Sequence, residues 1–197
     1  MAERELTAAD WRGYCEAQFP RGSWSLDDDV LRALATGPRV DLITRERFGD
    51  FTLHFEWRLP RGGNSGVLYR VGEELEHSWQ SGPEMQLLDD EHTPDGANAL
   101  TACGALYGLI APWHDQRDIA NTYHTGRIVA RGSLIEHWID ERQVLGYDLA
   151  GEELRERIAR SKFREWPRFA RLGEGHIALQ HHGTEAWFRR LRIEAWL

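Results

Sequence analysis

Phe51-Thr-Leu-His-Phe-Glu-Trp-Arg-Leu59 alternates without a break between apolar and polar side chains. A period of two puts Phe51, Leu53, Phe55, Trp57 and Leu59 on one face of a strand, with Thr52, His54, Glu56 and Arg58 on the other. Pro60-Arg-Gly-Gly63 then signals a turn, and residues 65–71 return as a second strand.

Outward from this hairpin the pattern repeats. Further strands are expected at 84–88, 105–109, 126–131, 134–139, 143–148, 176–181 and 186–195, with Gly132-Ser133 forming a tight turn between two of them. Two helical stretches stand apart. Thr7 is a candidate N-cap for a short helix before Pro20, and 151–163 carries Leu154, Ile158 and Ser161 along one side. Many short strands with Gly-rich turns and almost no helix mean a sandwich or barrel. The expected division is an N-terminal extension over 1–23 and an all-β domain over 24–197. The longest loops, 72–83 and 89–104, are rich in polar residues and are where a binding site is expected.

Bulk properties narrow the function. A chain of 197 residues fits one domain with a sizeable core. Acidic side chains number 32 against 24 basic ones, giving −8, and no Lys/Arg block occurs. Nucleic acid binding needs clustered cations, so nucleic acid is not expected as a partner. No apolar run approaches the roughly 20 residues of a membrane helix, so no membrane partner is expected either. The charged start, MAERELTAADWRGY, lacks the apolar core of a signal peptide, and a cytoplasmic location is expected. Cys15 and Cys103 make no metal-binding spacing. Nine tryptophans are many for this size; most belong to a core, and one or two can offer a flat face to a sugar ring.

Several polar residues fall where chemistry is feasible. Glu84 and Gln86 share one face of their strand, a carboxyl beside an amide that suits sugar hydroxyls or else a solvated outer face. Laminarinase-type glucanases place two or three acids in alternation on such a strand, and retaining chemistry needs two carboxyls about 5 Å apart. Here Gln86 and Leu88 occupy those places, which disfavours a two-carboxylate mechanism. Asn64, Gly66, Leu68 and Arg70 share a face of the neighbouring strand, where a glycine leaves room for close approach. His137 sits among aromatic and aliphatic neighbours, as a structural histidine would. Gln180 and His182 share a face, while His181 points the other way, so the two histidines make a poor chelate. Lys162 ends the expected helix 151–163, where a cation also suits the macrodipole.

In order along the chain, these segments resemble one family. They include Trp24-Ser-Leu-Asp-Asp-Asp-Val-Leu31, Phe48-Gly-Asp-Phe51, Gly63-Asn-Ser-Gly-Val-Leu-Tyr-Arg70 and Gly82-Pro-Glu-Met-Gln-Leu-Leu-Asp-Asp90. Gly104-Ala-Leu-Tyr-Gly108 with Ala111-Pro112, Ile135-Glu-His-Trp138, Ser161-Lys-Phe163 and Ile177-Ala-Leu-Gln-His-His-Gly183 with Phe188-Arg189 follow, and Leu42-Ile-Thr44 belongs with the early stretches. The chain is similar over nearly its whole length to the 3-keto-disaccharide hydrolase domain.

The resemblance implies a concanavalin A-like jelly-roll β-sandwich of two antiparallel sheets, with one short helix near residues 151–163. It implies cleavage of 3-keto-glycosides by β-elimination and hydration, with a non-catalytic, lectin-like carbohydrate-binding domain as the alternative. An NAD-dependent sugar oxidoreductase would act upstream, and a divalent metal ion is the one cofactor to consider. The candidate catalytic residues are Glu84, His182 and Lys162. Glu84 or His182 would serve as base, and Lys162 or Arg70 would oppose the enolate charge. Asn64, Arg70, Gln86, Tyr107, His137 and Gln180 are the candidate substrate-binding residues. Tyr123, His124 and His181 depart from the pattern usual in the family.

Overall fold

A computed structural model describes residues 3–196 as a sandwich of two antiparallel sheets. The larger sheet runs in the order β11 (Arg142–Asp148), β10 (Leu134–Ile139), β9 (His124–Arg131), β6 (Asp50–Arg58), β13 (Ala186–Trp196), β4 (Val30–Ala33) and β3 (Trp24–Asp27). β1 (Arg4–Glu5) adds to β13. The smaller sheet runs β2 (Trp11–Gly13), β5 (Leu42–Thr44), β12 (His176–Leu179), β7 (Asn64–Val71) and β8 (Glu84–Leu88). Residues 4–13, read from the sequence as part of an extension, thus supply a strand to each sheet, and Leu6 and Trp11 enter the core.

The alternation in β6 does what its period predicts. Phe51, Leu53, Phe55, Trp57 and Leu59 are buried between the sheets, with Phe188 and Ile193 of β13 beside them. β7 and β8 are buried on both faces. Val67, Tyr69, Met85 and Leu87 belong to the main core, whereas Leu68 joins Ile43, Val71 and Ala178 in a second apolar cluster on the outer face, against Tyr14 and Trp79. Loops therefore cover the outer face of the smaller sheet, and a polar site there is partly roofed.

Three local expectations change. Residues 105–109 form no strand; Leu106 makes isolated bridges to Met85 and Ile110. Gly104 and Gly108 on either side adopt left-handed φ of 87° and 70°, and this folds the segment into turns. The helix expected over 151–163 is a single helix α1 (Glu152–Ala159), followed by a separate 3-10 turn at Lys162–Glu165. Ser161 is extended, and its hydroxyl accepts from the Phe163 N–H, so it caps the second turn and takes Lys162 off the helix end. Among the described residues before Pro20, the helical structure is a 3-10 turn at Ala8–Asp10, entered through a Thr7–Asp10 capping pair. The two-residue turn at Gly132-Ser133 forms as expected, with Arg131 paired to Leu134.

Candidate active site

A cavity of about 140 Å³ opens on the outer face of the smaller sheet, lined by Asn64, Glu84, Gln86, Gln180, His182 and Lys162 together with three aromatic rings. The strands dictate its floor. Glu84 and Gln86 project outward from β8 because Met85 and Leu87 project into the core. Asn64 on β7 lies beside Gln86, its Oδ1 at 3.5 Å from Gln86 Nε2. Gln180 follows β12 and its N–H donates to Gly66 O at 2.9 Å, which extends the sheet by one residue past the last strand. Thr184 fixes Asn64 by accepting from its N–H and donating to its C=O.

The aromatic wall comes from elements that the strand pattern did not expose. Trp79 stands on the 3-10 turn Ser78–Gln80, Tyr107 on the turn after Gly104, and Phe163 on the turn that carries Lys162. The Lys162 ammonium lies 4.9 Å from the Trp79 ring centre, 4.7 Å from Tyr107 and 5.1 Å from Phe163. Lys162 is exposed as a residue, while its charged end is crowded by rings. Crowding lowers the Lys162 pKa, against the opposing pull of Glu84 and Asp95.

Floor and rim differ in electrostatics. Glu84 is buried, and burial together with the Asp41 charge pushes its carboxyl up to about 8, with Lys162 pulling the other way. Oε1 of Glu84 and the side-chain oxygens of Gln86 and Gln180 are buried acceptors that no protein group satisfies. Three such atoms around one cavity are an arrangement that ligand hydroxyls would complete. His182 is an exposed rim residue, and partial burial and the Arg39 charge lower its pKa. Burial thus favours the protonated carboxyl at Glu84 and the neutral imidazole at His182, with the Lys162 amine beside them.

Seven of the nine sequence-predicted site residues line this cavity; Arg70 and His137 do not. Their expected contact with substrate is corrected. Arg70 has a left-handed φ of 50° where the β7–β12 register shifts, so its side chain leaves the face that Asn64 and Gly66 share. It donates instead to Gly49 O and Gly132 O and pairs with Asp50, bracing two turns of the larger sheet. It cannot oppose charge in the cavity. His137 lies between the sheets, fully buried, within hydrogen-bond distance of the Tyr69 hydroxyl at 2.9 Å and of Gly104 O at 3.1 Å. Nδ1–H donates to the carbonyl, so Nε2 accepts from Tyr69, whose hydroxyl also meets that of Tyr147.

Sequence reasoning missed Trp79, Phe163 and Asp41. Trp79 carried no signal that singled it out among nine tryptophans. Phe163 was visible only as the end of an expected helix. Asp41 lies off the cavity wall, and its carboxylate accepts from the Ser78 hydroxyl and the His181 N–H.

The residues departing from the family pattern sit elsewhere or turn away. Tyr123 lies between the Arg58 and Arg189 guanidinium groups, and His124 pairs with Asp140. His181 accepts from the Gly183 N–H at Nδ1, so Nε2–H donates to Leu34 O.

Asp89, Glu91 and His92 bring three ligand atoms within 4.8 Å of one another, a mixed oxygen and nitrogen set that can hold a divalent cation. None of the three lines the cavity. One Asp89 oxygen already takes the Gly62 N–H and the His92 ring nitrogen, both at 2.8 Å, so binding would displace that pairing.

Residues 4–194 match the 3-keto-alpha-glucoside-1,2-lyase-like domain. A 3-keto-disaccharide hydrolase of Bacteroides thetaiotaomicron is 28% identical over 214 residues, covering 93% of this chain and 73% of that protein. Among solved structures, a candidate glycosyl hydrolase from Parabacteroides distasonis superposes with a TM-score of 0.88 at 22% identity, over 96% of this chain and 89% of the other. A carbohydrate-binding module of family CBM66 from Bacillus subtilis reaches 0.60 at 11% identity, over 94% and 96% of the two chains. These structural likenesses bear on the fold, a lectin-like jelly-roll sandwich.

Proposed function

The chain belongs to the 3-keto-alpha-glucoside-1,2-lyase-like family, and we propose that it cleaves 3-keto-glycosides by β-elimination followed by hydration. The observation that carries this reading is one cavity that brings Glu84, His182 and Lys162 together with a single carboxyl on its wall, and burial pushes that carboxyl up to about 8. A two-carboxylate glycosidase needs a second acid facing the first across the sugar. A ketone at C3 removes that need, because it acidifies the proton on C2.

His182 takes the C2 proton, and the electrons move into the C3 carbonyl as an enolate. Lys162 faces the developing negative charge, and the exposed rim lets its ammonium reach over the ring. The enolate expels the C1 oxygen, which takes the proton of Glu84 and leaves as the free alcohol. The sugar is now unsaturated between C1 and C2. Water then adds at C1, giving its proton to the Glu84 carboxylate, while imidazolium His182 returns a proton to C2. Both groups end as they began. Asn64, Gln86, Gln180 and Tyr107 orient the ring through its hydroxyls, and Trp79 offers an apolar face. No step uses the Asp89 group. The ketone has to be installed beforehand, by a reaction of the class an NAD-dependent sugar oxidoreductase performs.

The test is a 3-keto-glucoside bearing a chromogenic aglycone, with and without EDTA, beside the same glucoside unoxidised. Release from the keto form alone is expected, insensitive to EDTA. In D2O the product should carry deuterium at C2 beyond a protein-free control. Equal release from both glycosides would overturn elimination, and release abolished by EDTA would overturn a reaction run by side chains alone. Sugar binding without release would point to a lectin-like role.

A further inference from the structure

Asp41 precedes β5 and forms no part of the cavity lining, yet two pieces of the cavity wall depend on its carboxylate. Oδ1 accepts from the His181 N–H at 2.7 Å, the peptide group midway between the Gln180 and His182 side chains. Oδ2 accepts from the Ser78 hydroxyl, and Ser78 opens the 3-10 turn that holds Trp79. The Asp41 carbonyl takes the Tyr14 N–H at 2.8 Å, and the Tyr14 hydroxyl lies 2.9 Å from Leu75 O, in the same loop as Trp79. Three segments distant in sequence meet at this one residue.

The charge of that carboxylate also reaches Glu84, where it is the strongest ionic influence and favours the protonated form. The two acids differ in support. Burial raises the Asp41 carboxyl, but two donors on its oxygens, the Ser78 hydroxyl and the His181 N–H, work against that rise. Burial raises Glu84 as well, and its Oε1 has no donor, so the Asp41 charge adds to the rise. A carboxyl with donors holds its negative charge more readily than one without.

We propose that Asp41 is the positioning residue of this site: its carboxylate pins the Trp79 turn to the Gln180–His182 segment. From that place its negative charge also acts on the Glu84 carboxyl, an effect that a merely structural residue would not have. The catalytic meaning rests on the reading of Glu84 as the acid, whereas the pinning and the charge effect do not. β8 offers no second acid, and the carboxylate that acts on Glu84 comes from a segment elsewhere in the chain.

The experiment is a carboxyl 13C NMR titration of the full chain, with Glu84→Gln to assign the Glu84 signal. Asp41→Asn keeps an acceptor for the His181 N–H and removes the charge. It should lower the Glu84 midpoint by about one unit or more, and the alkaline limb of turnover should move down with it. Ser78→Ala keeps the charge, so the Glu84 midpoint should stay while KM rises. An unshifted Glu84 midpoint in folded Asp41→Asn overturns the proposal. Should that variant fail to fold, the wild-type titration decides: Asp41 ionising before Glu84 is expected, and the reverse order overturns it. Absence of turnover on keto-glycosides beside the expected titrations would remove the proposed reaction and leave Asp41's role intact.

Discussion

A methyl group built on Gly66 would lie 2.0 Å from Oε1 of Glu84, and 2.8 Å from the carbon that bears it. The bare backbone of β7 is therefore the seat of the Glu84 carboxyl on β8, and Gly66 pairs with Gln86 in the same ladder. Close approach at this glycine serves a side chain of the protein itself.

Gly66→Ala should evict the carboxyl from its seat. Thermal or urea unfolding should register a loss of about 1–3 kcal/mol, typical of overpacking. Turnover of a 3-keto-glycoside should drop by at least about 100-fold, the lower end for a displaced general acid. A variant that keeps full turnover would show that Glu84 needs no fixed seat.

Glu84→Gln retains the shape and removes the proton donor, so kcat should fall by about 10²–10⁴. In the parent protein, activity should decline as pH rises through about 8, where Glu84 ionises. Stability follows the same group. Its folded pKa lies above the unfolded value, so the folded state binds the extra proton and loses stability as pH rises from about 4.5 to about 8. Glu84→Gln should flatten that decline in urea titrations across this range.

Lys162→Met keeps the apolar stem against Trp79 and Tyr107 but removes the cation. A fall in kcat/KM of about 10²–10³ is expected, as for loss of one charge-stabilising group, with melting temperature little changed. Lys162→Arg should recover part of the rate. Equal rates for Met and Lys would remove the ammonium from the reaction.

His137→Phe should act on stability. It leaves Gly104 O without its donor in the core, at a cost of about 1–3 kcal/mol, and takes one of two partners from the Tyr69 hydroxyl, which keeps Tyr147. Burial holds the His137 pKa down at about 4, below its unfolded value. The unfolded chain then binds the extra proton between about pH 6.5 and 4, so stability should be lost as pH falls through that window. Urea midpoints of the two proteins should converge toward pH 4.

Arg70→Met should likewise lower stability, by about 2 kcal/mol, because it strips donors from Gly49 O and Gly132 O. Below its melting range the variant should turn over substrate at the parent rate. A selective loss of kcat would return Arg70 to the cavity.

What was legible in the sequence is what alternation controls. Phe51 to Leu59 and Glu84 to Leu87 keep a strict period of two, so core and cavity faces follow by counting. Counting fails at Arg70, because one residue with left-handed φ turns the remainder of the strand over, and no local feature of Leu-Tyr-Arg-Val announces it. It also failed for residues 105–109, whose flanking glycines bend what composition alone would extend. Asp41 was unreadable for another reason. Its partners Ser78 and His181 lie 37 and 140 positions away, and only the order of strands in the smaller sheet brings them together.

β13, the last strand in the chain, occupies an interior place in the larger sheet, between β6 and β4, and β1 docks against it. During synthesis, neither β6 nor β4 can complete its hydrogen-bonded edge until residues beyond 186 have left the ribosome. The nascent chain therefore carries two unpaired strand edges while residues 59–185 emerge, a state open to aggregation or to chaperone capture. Pairings this distant in sequence also slow the final closure. Ribosome-stalled chains ending before 186 should be far more protease-sensitive than those extended past 196 by a linker long enough to clear the exit tunnel.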